Sequence, residues 1–114
     1  MSAPGLQGLR PWLIQRISAV YLAAYCLYFA YSIIVLQPIT AEVWYAWYAT
    51  PFNNISMALF IVAVIWHAWI GIRDVFLDYV PNVVARMFLL TLVASVLLGS
   101  ALWAFRSLFL VVIK

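Results

Sequence analysis

Apolar positions in this chain do not alternate with polar ones; they run on in three long stretches. The first covers about residues 17–36, the second about 54–76, and the third about 83–105 or a little beyond. Each holds roughly 20 residues or more, enough at about 1.5 Å rise per residue to cross a hydrocarbon layer of about 30 Å. An open strand in lipid would leave backbone groups unpaired, so all three stretches are predicted to be helices. The expected fold class is all-α integral membrane, with residues 1–114 forming a single transmembrane domain.

Punctuation supports the same division. Gln37-Pro38 ends the first run, and Pro81 separates the second from the third, because the residue before a proline is pushed out of helical geometry. Between the first two runs, Trp44, Tyr45, Trp47 and Tyr48 crowd into the segment 41–51. That density of amphipathic rings predicts a short interfacial helix with its aromatics at headgroup level. Pro4, Gly5, Gly8 and Pro11 precede the first run, whose length fits a retained span better than a cleavable signal.

Composition agrees and narrows the choice. The chain is 69% hydrophobic and 8% charged, where a soluble domain carries about 25% charged residues. Such a chain cannot build a polar shell, so lipid is its solvent. Six basic and three acidic residues, dispersed along the chain, do not form a nucleic-acid surface. Cys26 is the only cysteine, which excludes an internal disulfide, a CxxCH haem attachment and a thiolate metal site. It reads as small apolar filler in the first span.

Orientation follows from the basic residues. Arg10, Arg16, Arg73 and Arg86 fall on one side of the three spans, Arg106 and Lys114 on the other, and the segment 37–53 has none. This bias places the N-terminus and the loop between the second and third spans in the cytoplasm. The expected location is a bacterial-type inner (cytoplasmic) membrane, in preference to a mitochondrial inner membrane. Thr91, Ser95 and Gly99 recur at helical spacing in the third span. Such a stripe of small residues admits a close helix, within the chain or from a partner.

A single histidine lies deep inside a span: His67, in the run Ile65-Trp66-His67-Ala68-Trp69-Ile70-Gly71. Ionisable residues are costly at bilayer depth and mark functional sites. Imidazole is also well suited to ligating haem iron. Residues four apart share a helix face, so Ala63 and Gly71 flank His67 with small side chains. They leave room for a flat macrocycle, although small residues also serve ordinary helix contacts. A histidine here serves equally as a hydrogen-bonding group between helices, and the residues alone leave both readings open. With one histidine in the chain, a bis-histidine site would need a second chain.

The cytoplasmic end of the second span carries Arg73, Asp74, Asp78 and Tyr79. If the helix persists, His67, Asp74 and Asp78 share one face, with Asp78 displaced from His67 by roughly 16 Å along the axis. Arg73 and Asp74 point about 100° apart on a helix and need not pair. An acid beside a phenol at a membrane surface suits quinone reduction, which takes two electrons and two protons. A phenol keeps its proton at neutral pH and donates to a carbonyl. Taken singly, each of these residues also fits a plainer role: Tyr79 in the aromatic belt, Asp78 as a solvated carboxylate, Arg16 and Arg73 as snorkelling anchors.

The run Trp66-His67-Ala68-Trp69-Ile70-Gly71 followed by Asp78-Tyr79-Val80 closely resembles the small hydrophobic membrane anchor subunit, D type, of succinate dehydrogenase (complex II). Gln15-Arg16-Ile17-Ser18-Ala19 is similar to the arginine-containing start of that family's first helix. The resemblance covers essentially the whole chain. It implies that His67 is an axial ligand of haem b, with the other ligand from the larger cytochrome b anchor subunit. It implies that Tyr79 hydrogen-bonds a ubiquinone carbonyl and that Asp78 supports proton delivery; the residues themselves fit menaquinone equally. Gly71 and Arg16 would border the cofactor, Arg16 near the haem propionates or the quinone pocket. The family has an Asp-Tyr pair after its second helix. An iron–sulfur subunit and a flavoprotein subunit, which carries out succinate oxidation, are the further partners so implied. Two other classes remain beside this one. The first is a structural anchor or assembly subunit without haem or quinone chemistry. The second is a small transporter using His67 as a proton relay, disfavoured because the first and third spans hold no intramembrane acid.

Overall fold

A computed structural model describes residues 4–113. It consists of α1 (Pro4–Val35), α2 (Ala41–Ala49), α3 (Pro51–Tyr79) and α4 (Val83–Ile113). No strand occurs among the described residues. Three of these helices, α1, α3 and α4, are long and apolar enough to cross a membrane. The all-α transmembrane fold with a short helix between the first two spans is therefore as expected.

The helices overrun their predicted ends. α1 starts at Pro4 rather than near residue 17 and passes through Pro11. A proline removes one backbone donor, and a helix flanked by Leu9, Trp12 and Leu13 tolerates that loss. α3 starts at Pro51, where the missing N–H is one that no helical carbonyl would have received. It runs to Tyr79, so Asp78 and Tyr79 belong to its last turn rather than to the following loop. α4 continues past residue 105 to Ile113. Arg106 does not interrupt it, because its guanidinium lies over the Trp103 ring, 5.5 Å from the centroid. Lys114, counted in the charge bias, lies outside the described residues.

Caps set the joints. Thr40 accepts the Val43 N–H at 3.2 Å to start α2, with Glu42 in its positive first turn. Asn82, following Pro81, accepts the Ala85 N–H at 3.1 Å to start α4.

α3 is the central element. α1 and α4 each pack along it, α2 folds over α3 and α4 at one end, and α1 and α4 do not meet among the described residues. The chain is thus an open arrangement around α3 rather than a closed bundle. Its buried apolar residues are few: Tyr25, Trp47, Ile70, Ala101 and Leu108. Lipid is as apolar as leucine, so helices in a membrane gain little from hydrophobic burial and associate through packing and hydrogen bonds.

Those bonds concentrate between α1 and α3. The Tyr21 hydroxyl donates to the Ser56 carbonyl at 2.7 Å. The Tyr28 hydroxyl donates to the Asn53 side-chain oxygen. Asn53 Nδ2 in turn donates to the Trp47 carbonyl at 3.0 Å, and Asn54 Nδ2 to the Tyr48 carbonyl at 3.1 Å. Carbonyls at the C-terminal end of α2 gain donors from α3 this way, the Trp47 carbonyl beside the Thr50 N–H it already accepts at 3.3 Å.

The aromatic segment forms the expected short helix, and several of its rings pack on the protein. Trp47 is buried against Tyr28 and Phe29, with centroids 6.1 and 5.7 Å away, and Trp44 meets Phe29 at 5.7 Å. These rings face the protein; Tyr45 faces outward. Burial also holds the Tyr48 phenol above its ordinary pKa by desolvation. Cys26 is exposed on α1 rather than packed as filler. Thr91, Ser95 and Gly99 all face outward, and nothing lies within 4 Å of a Cβ placed at Gly99, so among the described residues no helix packs on that stripe.

Candidate functional site

His67 lies on α3 about 18 Å from its Tyr79 end, counting the 1.5 Å rise over the intervening residues. That depth puts it inside the spanning part of the helix. Its ring meets α1: Ser18 Oγ and His67 Nδ1 are 2.9 Å apart. Ser18 is 8% exposed and also donates to the Gln15 carbonyl at 3.1 Å, one turn back on its own helix. The second ring nitrogen, Nε2, has no hydrogen-bond partner among the described residues. The inter-helix bond considered for a histidine at this depth therefore exists, and it uses only one nitrogen.

The two small neighbours of His67 have different surroundings. Ala63 lines an apolar groove of about 360 Å³ between α1 and α3, together with Ile14, Ile17, Ser18, Leu59 and Trp66. Gly71 instead packs against α1, where an added Cβ would stand 3.4 Å from Gln15 Nε2. The groove thus lies on the Ala63 side, with Ser18 rather than His67 in its lining. Gln15 Oε1 is buried and has no partner among the described residues, leaving an acceptor one turn from Ser18.

The remaining sequence-stated candidates lie apart from this pair. Arg16 is exposed, with its guanidinium 5.4 Å from the Trp12 ring centroid. Asp78 and Tyr79 are exposed in the last turn of α3, Tyr79 at 79%. The helix persists through them, so the shared face of His67, Asp74 and Asp78 is continuous. Arg73 and Asp74 do pair, at 3.1 Å between Nη2 and Oδ1. Adjacent Cβ vectors diverge on a helix, but the long arginine side chain sweeps across the gap.

The donor set bears on which groups could be held. No cluster of three or more His, Cys, Asp or Glu side chains suited to a metal occurs among the described residues. A lone imidazole with an unpartnered nitrogen suits a single ligand position on iron carried in a macrocycle better than a bare ion, which needs several protein donors.

Ser18 was the site residue that its own surroundings in the sequence did not single out. It belongs to the segment Gln15-Arg16-Ile17-Ser18-Ala19, but its partner His67 is remote in sequence, and only the antiparallel packing of α1 on α3 joins them. A rare buried hydroxyl in an apolar span was the available signal.

Comparison with known proteins gives the same direction as the fold. The family model described as succinate dehydrogenase/fumarate reductase transmembrane subunit matches residues 7–105. The chain is also 35% identical over 104 residues to the succinate dehydrogenase hydrophobic membrane anchor subunit of Coxiella burnetii (strain RSA 493 / Nine Mile phase I), covering 91% of this chain and 90% of that one. With three apolar spans in the expected order and a match over most of its length, this chain belongs to the succinate dehydrogenase/fumarate reductase transmembrane subunit family, among its membrane anchor subunits.

Proposed function

We propose that this chain anchors a succinate:quinone oxidoreductase, supplies one axial ligand of haem b through His67 Nε2, and forms part of the quinone site with Tyr79 and Asp78. The observation that carries the reading is the asymmetric use of the imidazole: Nδ1 is engaged by Ser18 while Nε2 is left without a partner. A metal-ligating histidine characteristically has its second nitrogen held in this way. Bound haem would supply a one-electron carrier between the iron–sulfur clusters and quinone. A second imidazole ligand would come from another chain, the larger cytochrome b anchor subunit on this reading, since this chain has a single histidine.

At the end of α3, the Tyr79 phenol donates to a quinone carbonyl and the Asp78 carboxylate takes part in proton delivery. Both are exposed here and free to be covered by neighbouring subunits. Arg10, Arg16, Arg73 and Arg86 sit toward the same end of the antiparallel spans, which is cytoplasmic by the basic-residue bias. The iron–sulfur and flavoprotein subunits dock on that face of a bacterial inner membrane, and succinate is oxidised there rather than in this chain.

A reduced-minus-oxidised optical spectrum of the intact complex tests the haem assignment. His67→Ala is expected to abolish or alter the b-type bands. An unchanged spectrum would overturn it. One observation favours a second reading, a structural anchor without haem: the Ser18–His67 bond ties α1 to α3 by itself. That reading expects no haem bands in the wild-type complex and tolerance of His67→Gln.

A further inference from the structure

The hydroxyl of Ser18 has one proton and two sets of partners. It donates to the Gln15 carbonyl at 3.1 Å, and its oxygen lies 2.9 Å from His67 Nδ1. A carbonyl can only accept, so with the serine proton on the Gln15 carbonyl only lone pairs at Oγ face the ring. In that arrangement they accept a proton from Nδ1. Ser18 is buried between the helices, so no solvent hydroxyl competes for either role.

From this chain, His67 Nδ1–H to Ser18 Oγ–H to the Gln15 carbonyl, we infer that Ser18 is a positioning residue that fixes the tautomer of His67. The proton stays on Nδ1, the ring is held in orientation, and Nε2 presents its lone pair. This is the state in which a neutral imidazole ligates a metal. Because the acceptor is on α1 and the ligand on α3, seating of α1 against α3 and readiness of the ligand are one event. The inference rests on the haem reading proposed above and names a residue that acts on the iron only through His67.

A hydrogen bond donated by Nδ1–H makes the imidazole a stronger ligand through Nε2 and favours the oxidised iron. Removing the acceptor should therefore raise the haem midpoint potential. The test is a potentiometric titration of the haem bands in the intact complex, with electron paramagnetic resonance of the oxidised haem alongside. Ser18→Ala is expected to retain haem, raise the potential and shift the resonance. Ser18→Thr, which keeps the hydroxyl, is expected to restore the wild-type values. Should Ser18→Ala fail to assemble, Ser18→Cys gives the same readout, since a thiol is a weak acceptor of similar size. An unchanged potential and resonance in a haem-loaded Ala or Cys variant overturns the role of Ser18. So does an equal shift in Ser18→Thr, which would assign the effect to packing. His67→Ala is run in parallel: if it keeps the haem bands unaltered, the ligand assignment itself falls, an outcome distinct from failure of the serine variants alone.

Discussion

Gln15 of α1 and Gly71 of α3 press against each other, with a Cβ at Gly71 reaching to 3.4 Å from Gln15 Nε2. That distance is ordinary contact, and the carboxamide is the movable end of a flexible side chain. Gly71→Ala is therefore expected to assemble, with stability changed by no more than about 1 kcal/mol. Gly71→Leu would force α1 away one turn from the Ser18–His67 pair and cost about 1–3 kcal/mol by overpacking. Thermal denaturation of the detergent-solubilised complex distinguishes the two; equal melting of both variants would remove this contact from the account.

Tyr79 has no side-chain hydrogen bond among the described residues and is 79% exposed. Tyr79→Phe should leave the fold intact and delete only a donor. Losing one hydrogen bond of about 1–1.5 kcal/mol corresponds to roughly a tenfold fall in quinone reduction. Succinate oxidation through an artificial acceptor should persist. Normal quinone turnover in this variant would remove Tyr79 from the site.

Asn53 serves two elements at once, accepting from Tyr28 on α1 and donating to the Trp47 carbonyl of α2 at 3.0 Å. Asn53→Leu keeps the volume but leaves the Tyr28 phenol unpaired and removes one of the two donors to the Trp47 carbonyl. The expected loss is about 1–3 kcal/mol, read as a lower melting temperature. Stability equal to wild type would show that water or lipid headgroups serve those groups as well.

Arg73 and Asp74 form an ion pair with side chains 34% and 52% exposed. Exposed pairs contribute about 0–1 kcal/mol, so Asp74→Asn should change stability by less than that. Asp74 shares the His67 face but has its own partner. The same variant should keep quinone reduction near the wild-type rate, and a collapse of turnover would place Asp74 on the proton route.

Much of the fold was legible because the rules of a lipid solvent are few. Long apolar runs must be helices, and prolines such as Pro38 and Pro81 mark the joints. Helix ends were less legible. α1 begins well before its apolar run and α4 ends well after its own, since a helix with paired backbone groups does not stop where hydropathy falls. The roles of Asp78 and Tyr79 came from their adjacency and from the family likeness. That Arg73 reaches Asp74 depended on a side-chain conformation, which spacing along a helix does not fix.

From residue order alone came the three spans, the membrane as solvent, the one intramembrane imidazole and the family. All of these depend on local composition or on short motifs. Tertiary structure decided the surroundings of the imidazole: Ser18 at Nδ1, an apolar groove lined by the neighbouring Ala63, and Gln15 rather than open space at Gly71. It also decided that α1 and α4 lie apart and that the Thr91–Ser95–Gly99 stripe faces outward. The physical reason is that apolar helices in lipid have no preferred face by hydropathy. Which sides meet is set by scattered hydroxyl, amide and imidazole pairs between segments far apart in the chain.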